Sequence, residues 1–204
     1  FRFTPGVVTA INLLRLSETE EGDEVLIQRP VYYPFADSIQ QQKRVVVNSP
    51  LQLRDGRYEI DFADFERKAA SPRCRAFVLS NPHNPVGRVY TEEELRRVGE
   101  ICRRHHVFVI ADEIHSDLIF PGHQHIVFAS LGQNYAENCA VCHAPSKTFN
   151  LAGLSFSCIM IPNEERRKRF DQMFARYCRA HPNFFAPVAA KAAWDHGEAW
   201  LDSC

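Results

Sequence analysis

The sequence predicts an α/β fold, a three-layer α/β/α arrangement around a mostly parallel sheet. Three observations carry this reading. Short apolar runs rich in β-branched residues recur along the 204-residue chain. Amphipathic stretches with helical period separate them. The runs are apolar almost throughout rather than alternating, as strands covered on both faces are. They fall at 24–29, 44–48, 76–80, 107–111, 140–143 and 156–161. Without an internal repeat, a low-complexity tract or a Gly/Ser/Pro-rich linker, the chain reads as one domain.

In chain order, Thr4-Pro-Gly-Val-Val-Thr-Ala-Ile11 places Pro-Gly at the mouth of a helical pattern, a weak signal on its own. The run 24–29 leads into Arg29-Pro-Val-Tyr-Tyr-Pro34. The run 76–80 leads into two Asn-Pro steps and a glycine, Ser80-Asn-Pro-His-Asn-Pro-Val-Gly87. Each proline pushes the residue before it out of the helical region, holding Asn81 and Asn84 extended at the edge of the sheet; an ordinary turn is the competing reading. The clearest helix opens at Thr91, whose hydroxyl can cap it while Glu94 reaches back. Leu95, Val98, Ile101 and Cys102 then share a face.

The run 107–111 delivers Asp112 at its carboxyl end, followed by Glu113, His115 and Asp117. A carboxylate at the tip of a buried strand needs a cation or hydrogen-bond donors. A structural salt bridge and a metal site are both open, although Asp112 and Glu113 would face opposite sides of a continuing strand. The run 140–143 is followed by Ala-Pro-Ser146-Lys147-Thr-Phe-Asn-Leu-Ala-Gly153. A lysine among small and apolar residues is paired, chemically used, or snorkelling to the surface. Desolvation there would make Lys147 a Schiff-base nucleophile. In open parallel sheets ligands gather beyond the carboxyl ends of the strands, where all three motifs fall.

Composition narrows the function. The chain is 45% hydrophobic with a formal net charge of −1, which offers no long-range attraction for nucleic acid or an anionic membrane. The basic run 166–169 follows Glu164 and Glu165 and reads as a solvated helix face. The seven cysteines are scattered; Cys139 and Cys142 lie in an apparent strand with no second pair at zinc spacing, so buried thiols and a reducing, cytoplasmic compartment are expected. There is no apolar run of membrane-spanning length and no signal peptide in the sequence. His105 and His106 close a helix, and His123 and His125 flank a turn at Gly122; surface positions are expected for all four.

Taken together and in this order, Asn-Pro-Val-Gly, Asp-Glu-Ile-His and Ser-Lys-Thr-Phe-Asn resemble the class I/II aminotransferase family of fold-type-I enzymes that use pyridoxal 5′-phosphate (PLP). The resemblance covers the whole chain. It implies that Lys147 holds PLP as a Schiff base and, once displaced, removes the substrate's α-proton. It implies that Asp112 faces the pyridine nitrogen, that Asn84 donates to the phenolic oxygen, and that Tyr32, rather than Tyr33, stacks on the ring. Gly6, Val7 and Val8 would form the phosphate-binding turn. The pattern departs from the family at two positions: His115 replaces a frequent tyrosine, and Ser155 replaces an arginine that usually helps hold the phosphate, leaving that contact to groups such as Ser146.

The spelling Asp112-Glu-Ile-His-Ser-Asp-Leu118 resembles the cystathionine β-lyase-like, or C–S lyase, branch. It implies β-elimination from cystathionine or a related S-substituted cysteine, giving pyruvate, ammonia and a thiol. An aminotransferase and a cofactor-binding regulatory domain are the alternatives. The chain opens at Phe1, already inside a motif, so 1–204 is expected to be the PLP-binding large domain of a longer polypeptide, lacking an amino-terminal segment and most of a small carboxy-terminal domain. A homodimer completing the site is implied, with the arginine that grips the substrate carboxylate outside these residues.

Overall fold

The computed structural model describes residues 1–178 and 183–204. Its elements, in chain order, are β1 (Arg2–Thr4), α1 (Val7–Glu18), β2 (Glu24–Ile27), α2 (Pro34–Gln41), β3 (Val45–Asn48), β4 (Gln52–Arg54), β5 (Arg57–Glu59), α3 (Phe62–Ala69), β6 (Cys74–Ser80) and α4 (Glu92–Arg104). They continue with β7 (Phe108–Asp112), α5 (Gln133–Ala136), β8 (Cys139–His143), α6 (Pro145–Thr148), β9 (Ser157–Met160), α7 (Glu164–Tyr177), α8 (Ala186–His196) and α9 (Glu198–Asp202).

Seven strands form one sheet in the order β1-β9-β8-β7-β6-β2-β3. The pairings of β2 with β3 and β6, and of β7 with β6 and β8, are parallel; those of β9 with β8 and β1 are antiparallel. The expected mostly parallel sheet is therefore present, with an antiparallel edge. All six expected runs become strands, shifted by one or two residues at their ends. The three-residue strand β1 and the small hairpin β4–β5 were not foreseen, being too short to carry a period.

Alternation of side chains sorts the sheet into two cores. Val25, Ile27, Val78, Phe108 and Ile110 face α1, α2 and α7. Leu26, Phe77, Leu79, Val109 and Val141 face α3 and α4. Each such side chain, fully buried, contributes about 1.5–3 kcal/mol. The Thr91 cap holds as read: Glu94 N–H donates to Thr91 Oγ1 at 3.2 Å and Thr91 N–H to Glu94 Oε2 at 2.8 Å. Gly99, within α4, lets Tyr135 lie against the helix; a Cβ there would stand 2.5 Å from the Tyr135 ring.

Two surface expectations are corrected. The basic run is not simply solvated: Arg166 and Arg169 both close on the Glu18 carboxylate, whose side chain is 5% exposed, tying α7 to α1. Burial raises the Glu18 carboxyl, and the two guanidiniums oppose that. Lys168 and Arg169 still sit on the exposed face, Lys168 pairing with Glu164 and Glu165. His125 is also not a surface residue, because Glu113, buried on the far face of the sheet, draws it inward: its side chain is 8% exposed and its Nε2 lies 2.9 Å from Glu113 Oε2. Cys74, Cys102, Cys139 and Cys142 are buried free thiols, as expected. Among the described residues no helix is long and apolar enough to cross a membrane.

Candidate active site

The contiguous strands β2, β6, β7 and β8 run parallel, so the loops leaving their carboxyl ends meet at one edge of the sheet. There a cavity of about 260 Å³ is lined by Tyr32 after β2, Asn84 after β6, Asp112 and His115 at and after β7, and Ser146 and Lys147 after β8. Gly6, Val7 and Val8, where α1 begins, complete its wall. Every site residue singled out in the sequence is therefore in one place. A second cavity, about 760 Å³, shares Asn84 and His115 with the first.

Asp112 has the strand parity of Phe108 and Ile110, so it points to the face that α1 covers, while Glu113 turns to the other. Asp112 is 7% exposed, and among the described residues its carboxyl accepts one hydrogen bond, from Ile114 N–H at 3.2 Å. Burial pushes it up to about 7; Glu113 adds to the rise, and the Ile114 N–H and Lys147 oppose it. No cation pairs with it among the described residues. Glu113 is instead fully satisfied: Phe128 N–H donates to Oε1 at 2.8 Å and His125 holds Oε2. The two adjacent carboxylates thus differ in kind. Among the described residues no group of three or more His, Cys, Asp or Glu stands together as a metal would need.

Lys147 sits on α6, a single turn. The turn is anchored by Thr148, which is buried and donates to Asp117 Oδ2 at 2.8 Å. Asp117 was read only as one member of an acidic cluster; its signal was the spacing within Asp112-Glu-Ile-His-Ser-Asp117. Lys147 itself is exposed, contrary to the expected desolvation: its neighbours Pro145 and Thr148 are buried beneath the turn, while Lys147 lines the open cavity. His115 is half-buried, and burial, reinforced by Lys147, lowers its imidazole.

The start of α1 depends on Gly6, which adopts φ 96°, ψ 155°. That conformation is open to glycine and strained for other residues. It places Val7 and Val8 against the cavity at the positive end of a twelve-residue helix, whose first amides have no partner within the helix. Tyr32 is half-buried and held edge-on by Phe35 at 5.7 Å, whereas Tyr33 is 74% exposed. Ser155, in the left-handed region at φ 50°, also lines the cavity, as do Ser80 and Thr9, which the sequence did not single out.

The chain belongs to the class I and II aminotransferase family, whose model matches residues 2–202. It is 46% identical over 200 residues to cystathionine beta-lyase PatB of Bacillus subtilis, covering 98% of this chain and 52% of that protein. Among solved structures it is similar to cystalysin from Treponema denticola, which contains PLP (36% identity, TM-score 0.97, 100% and 52% of the two chains). It is likewise similar to the PLP-bound C–S lyase from Staphylococcus hominis (36% identity, TM-score 0.92, 99% and 51%). The chain spans about half the length of the relatives it matches.

Proposed function

We propose that this chain is the PLP-binding large domain of a longer polypeptide that acts as a C–S lyase on cystathionine or a related S-substituted cysteine. The observation that carries the reading is the convergence of Lys147, Asp112, Asn84, Tyr32 and the amino end of α1 on one cavity. The similarity to PatB, cystalysin and the S. hominis C–S lyase, together with the Asp-Glu-Ile-His-Ser-Asp segment, favours elimination over transamination.

The residues present fit PLP. A buried carboxyl with one backbone donor and no cation suits a protonated ring nitrogen. The amino end of α1 at Val7 and Val8, with Ser146 lining the same cavity, suits a phosphate dianion. Tyr32 offers a ring face and Asn84 an amide donor. PLP, when bound, withdraws electrons from the substrate's α-carbon. Lys147 would first hold the cofactor covalently and then, as a free amine, take the α-proton. The substrate's Cβ–S bond would then break with the thiolate taking the electron pair, Lys147 would displace the remaining 2-aminoacrylate by taking its place on the cofactor, and water would hydrolyse that product to pyruvate and ammonia. His115 stands beside Lys147 at the mouth of the cavity. A homodimer in the cytoplasm, with the partner supplying further substrate contacts, is part of the proposal.

The test is the full-length polypeptide reconstituted with PLP, its visible absorbance recorded before and after L-cystathionine while pyruvate is assayed, with Lys147→Ala as control. A Lys147-dependent band with pyruvate release is expected. The band without pyruvate would leave the cofactor site and overturn the lyase assignment in favour of transamination.

A further inference from the structure

A buried chain of hydrogen bonds joins the loops that carry Tyr32 and Asn84 to Glu113, the residue after β7, and two of its members, His83 and Tyr90, line the second cavity. His83 Nε2 lies 2.9 Å from the Pro30 carbonyl oxygen, and His83 Nδ1 lies 2.9 Å from Tyr90 Oη. Tyr90 N–H donates to Asn81 Oδ1 at 3.1 Å, and Asn81 Nδ2 faces His125 Nδ1 at 3.5 Å. His125 then reaches Glu113. Asn81, His83, Tyr90 and Glu113 are each no more than 2% exposed.

The partners fix the proton positions. Pro30 O only accepts, so His83 Nε2 carries a hydrogen. Tyr90 is buried, and among the described residues the hydrogen-bond partner of its hydroxyl is His83 Nδ1. His83 is thus a neutral imidazole in the Nε2–H form. The charge that acts on it is Arg88, whose guanidinium lies over the Tyr90 ring at 4.5 Å and pairs with Glu94. Burial pushes the His83 imidazole down to about 4, the Pro30 and Gln28 backbone opposing and Arg88 reinforcing the fall.

We propose that His83 and Tyr90 are positioning residues that hold the Tyr32 loop and the Asn84 loop in fixed register. Pro30 precedes Tyr32 by two residues and His83 is adjacent to Asn84, so one imidazole sets both the group over the cofactor's ring and the group at its phenolic oxygen. The inference rests on the cofactor reading above. Asn84 has one other anchor among the described residues, its N–H donating to Ser80 Oγ at 3.2 Å. A loosened His83 therefore reaches Asn84 directly.

The experiment uses the full-length PLP-loaded protein with Tyr90→Phe, which keeps the ring and removes the hydroxyl. A weaker Asn84 donation leaves the phenolic oxygen more basic, so the pH midpoint of the Lys147-dependent band rises by about 0.5 unit or more. In parallel kcat falls more than KM rises. A variant that melts earlier but keeps the wild-type midpoint overturns the proposal, because a role in folding alone does not move that titration. Imidazole nitrogen NMR of the wild-type protein, with His83 assigned by its loss in His83→Gln, is independent of how Tyr90→Phe folds. A neutral Nε2–H form between about pH 5.5 and 8 supports the relay, and an Nδ1–H or charged ring overturns it. Should wild type show no Lys147-dependent band, the cofactor reading fails, while the NMR result still decides the relay as a link between the loops.

Discussion

Replacing Asp112 by Asn should stabilise the cofactor-free protein at alkaline pH and scarcely affect it in acid. Asn keeps the volume and the acceptor for Ile114 N–H, and removes only the ability to ionise. The folded-state carboxyl is raised from 3.8 to about 7 by burial. A raised carboxyl favours the folded state while protonated; the advantage is intact below the unfolded value and is lost as pH rises toward the folded one. Between about pH 5 and pH 8 the unfolded chain gains close to two units of ionisation free energy over the folded one, or about 3 kcal/mol. Urea unfolding of apo wild type and Asp112→Asn at the two pH values measures it: the gap in favour of Asn should widen by about 3 kcal/mol. Adding PLP should narrow that gap, because a protonated ring nitrogen stabilises the carboxylate and not the amide. An equal gap at both pH values refutes the reasoning.

Thr148→Val removes the hydroxyl that ties the lysine turn to Asp117, and kcat should fall about fivefold, the equivalent of about 1 kcal/mol, with a smaller change in KM. Unchanged steady-state kinetics would show that the tie does not hold Lys147. Gly99→Ala adds a methyl into the Tyr135 ring; despite a helix-propensity gain of about 1 kcal/mol, a net loss of about 1–2 kcal/mol is expected in thermal unfolding. A higher melting temperature would contradict the close approach. Glu18→Gln leaves Arg166 and Arg169 without their carboxylate and should cost about 2 kcal/mol, read from denaturant midpoints; a neutral result would mean that the α1–α7 clasp carries no net stability.

Much of this arrangement was legible in the chain because it is local. An apolar strand ending in a polar residue announces both its burial and its direction, which placed Asp112, Asn84 and Lys147 on the same edge of the sheet. Parity alone separated Asp112 from Glu113. What could not be read depends on distant partners. His125 is drawn inside by Glu113, twelve residues earlier, and Arg166 is held by Glu18, 148 positions away. Lys147 misled for the opposite reason: its apolar neighbours describe the floor under the turn and say nothing of the open space above the amine. The strands β1, β4 and β5 span three residues each, less than two full repeats of the pleat.

The two ends of the cavity belong to regions of unequal permanence. Asp112 is rooted in β7, flanked by β6 and β8 and covered on both faces. The turn at Gly6 hangs from β1, a three-residue edge strand that pairs only with β9 and is held to the body by Arg2–Asp171 and Thr4–Ser157 contacts. Edge segments with few buried contacts open at a small fraction of the cost of global unfolding. The wall of the cavity at Gly6 would therefore loosen well before the wall at Asp112. Hydrogen exchange would see this as early loss of protection at Arg2–Thr4 and the first turn of α1, ahead of β7.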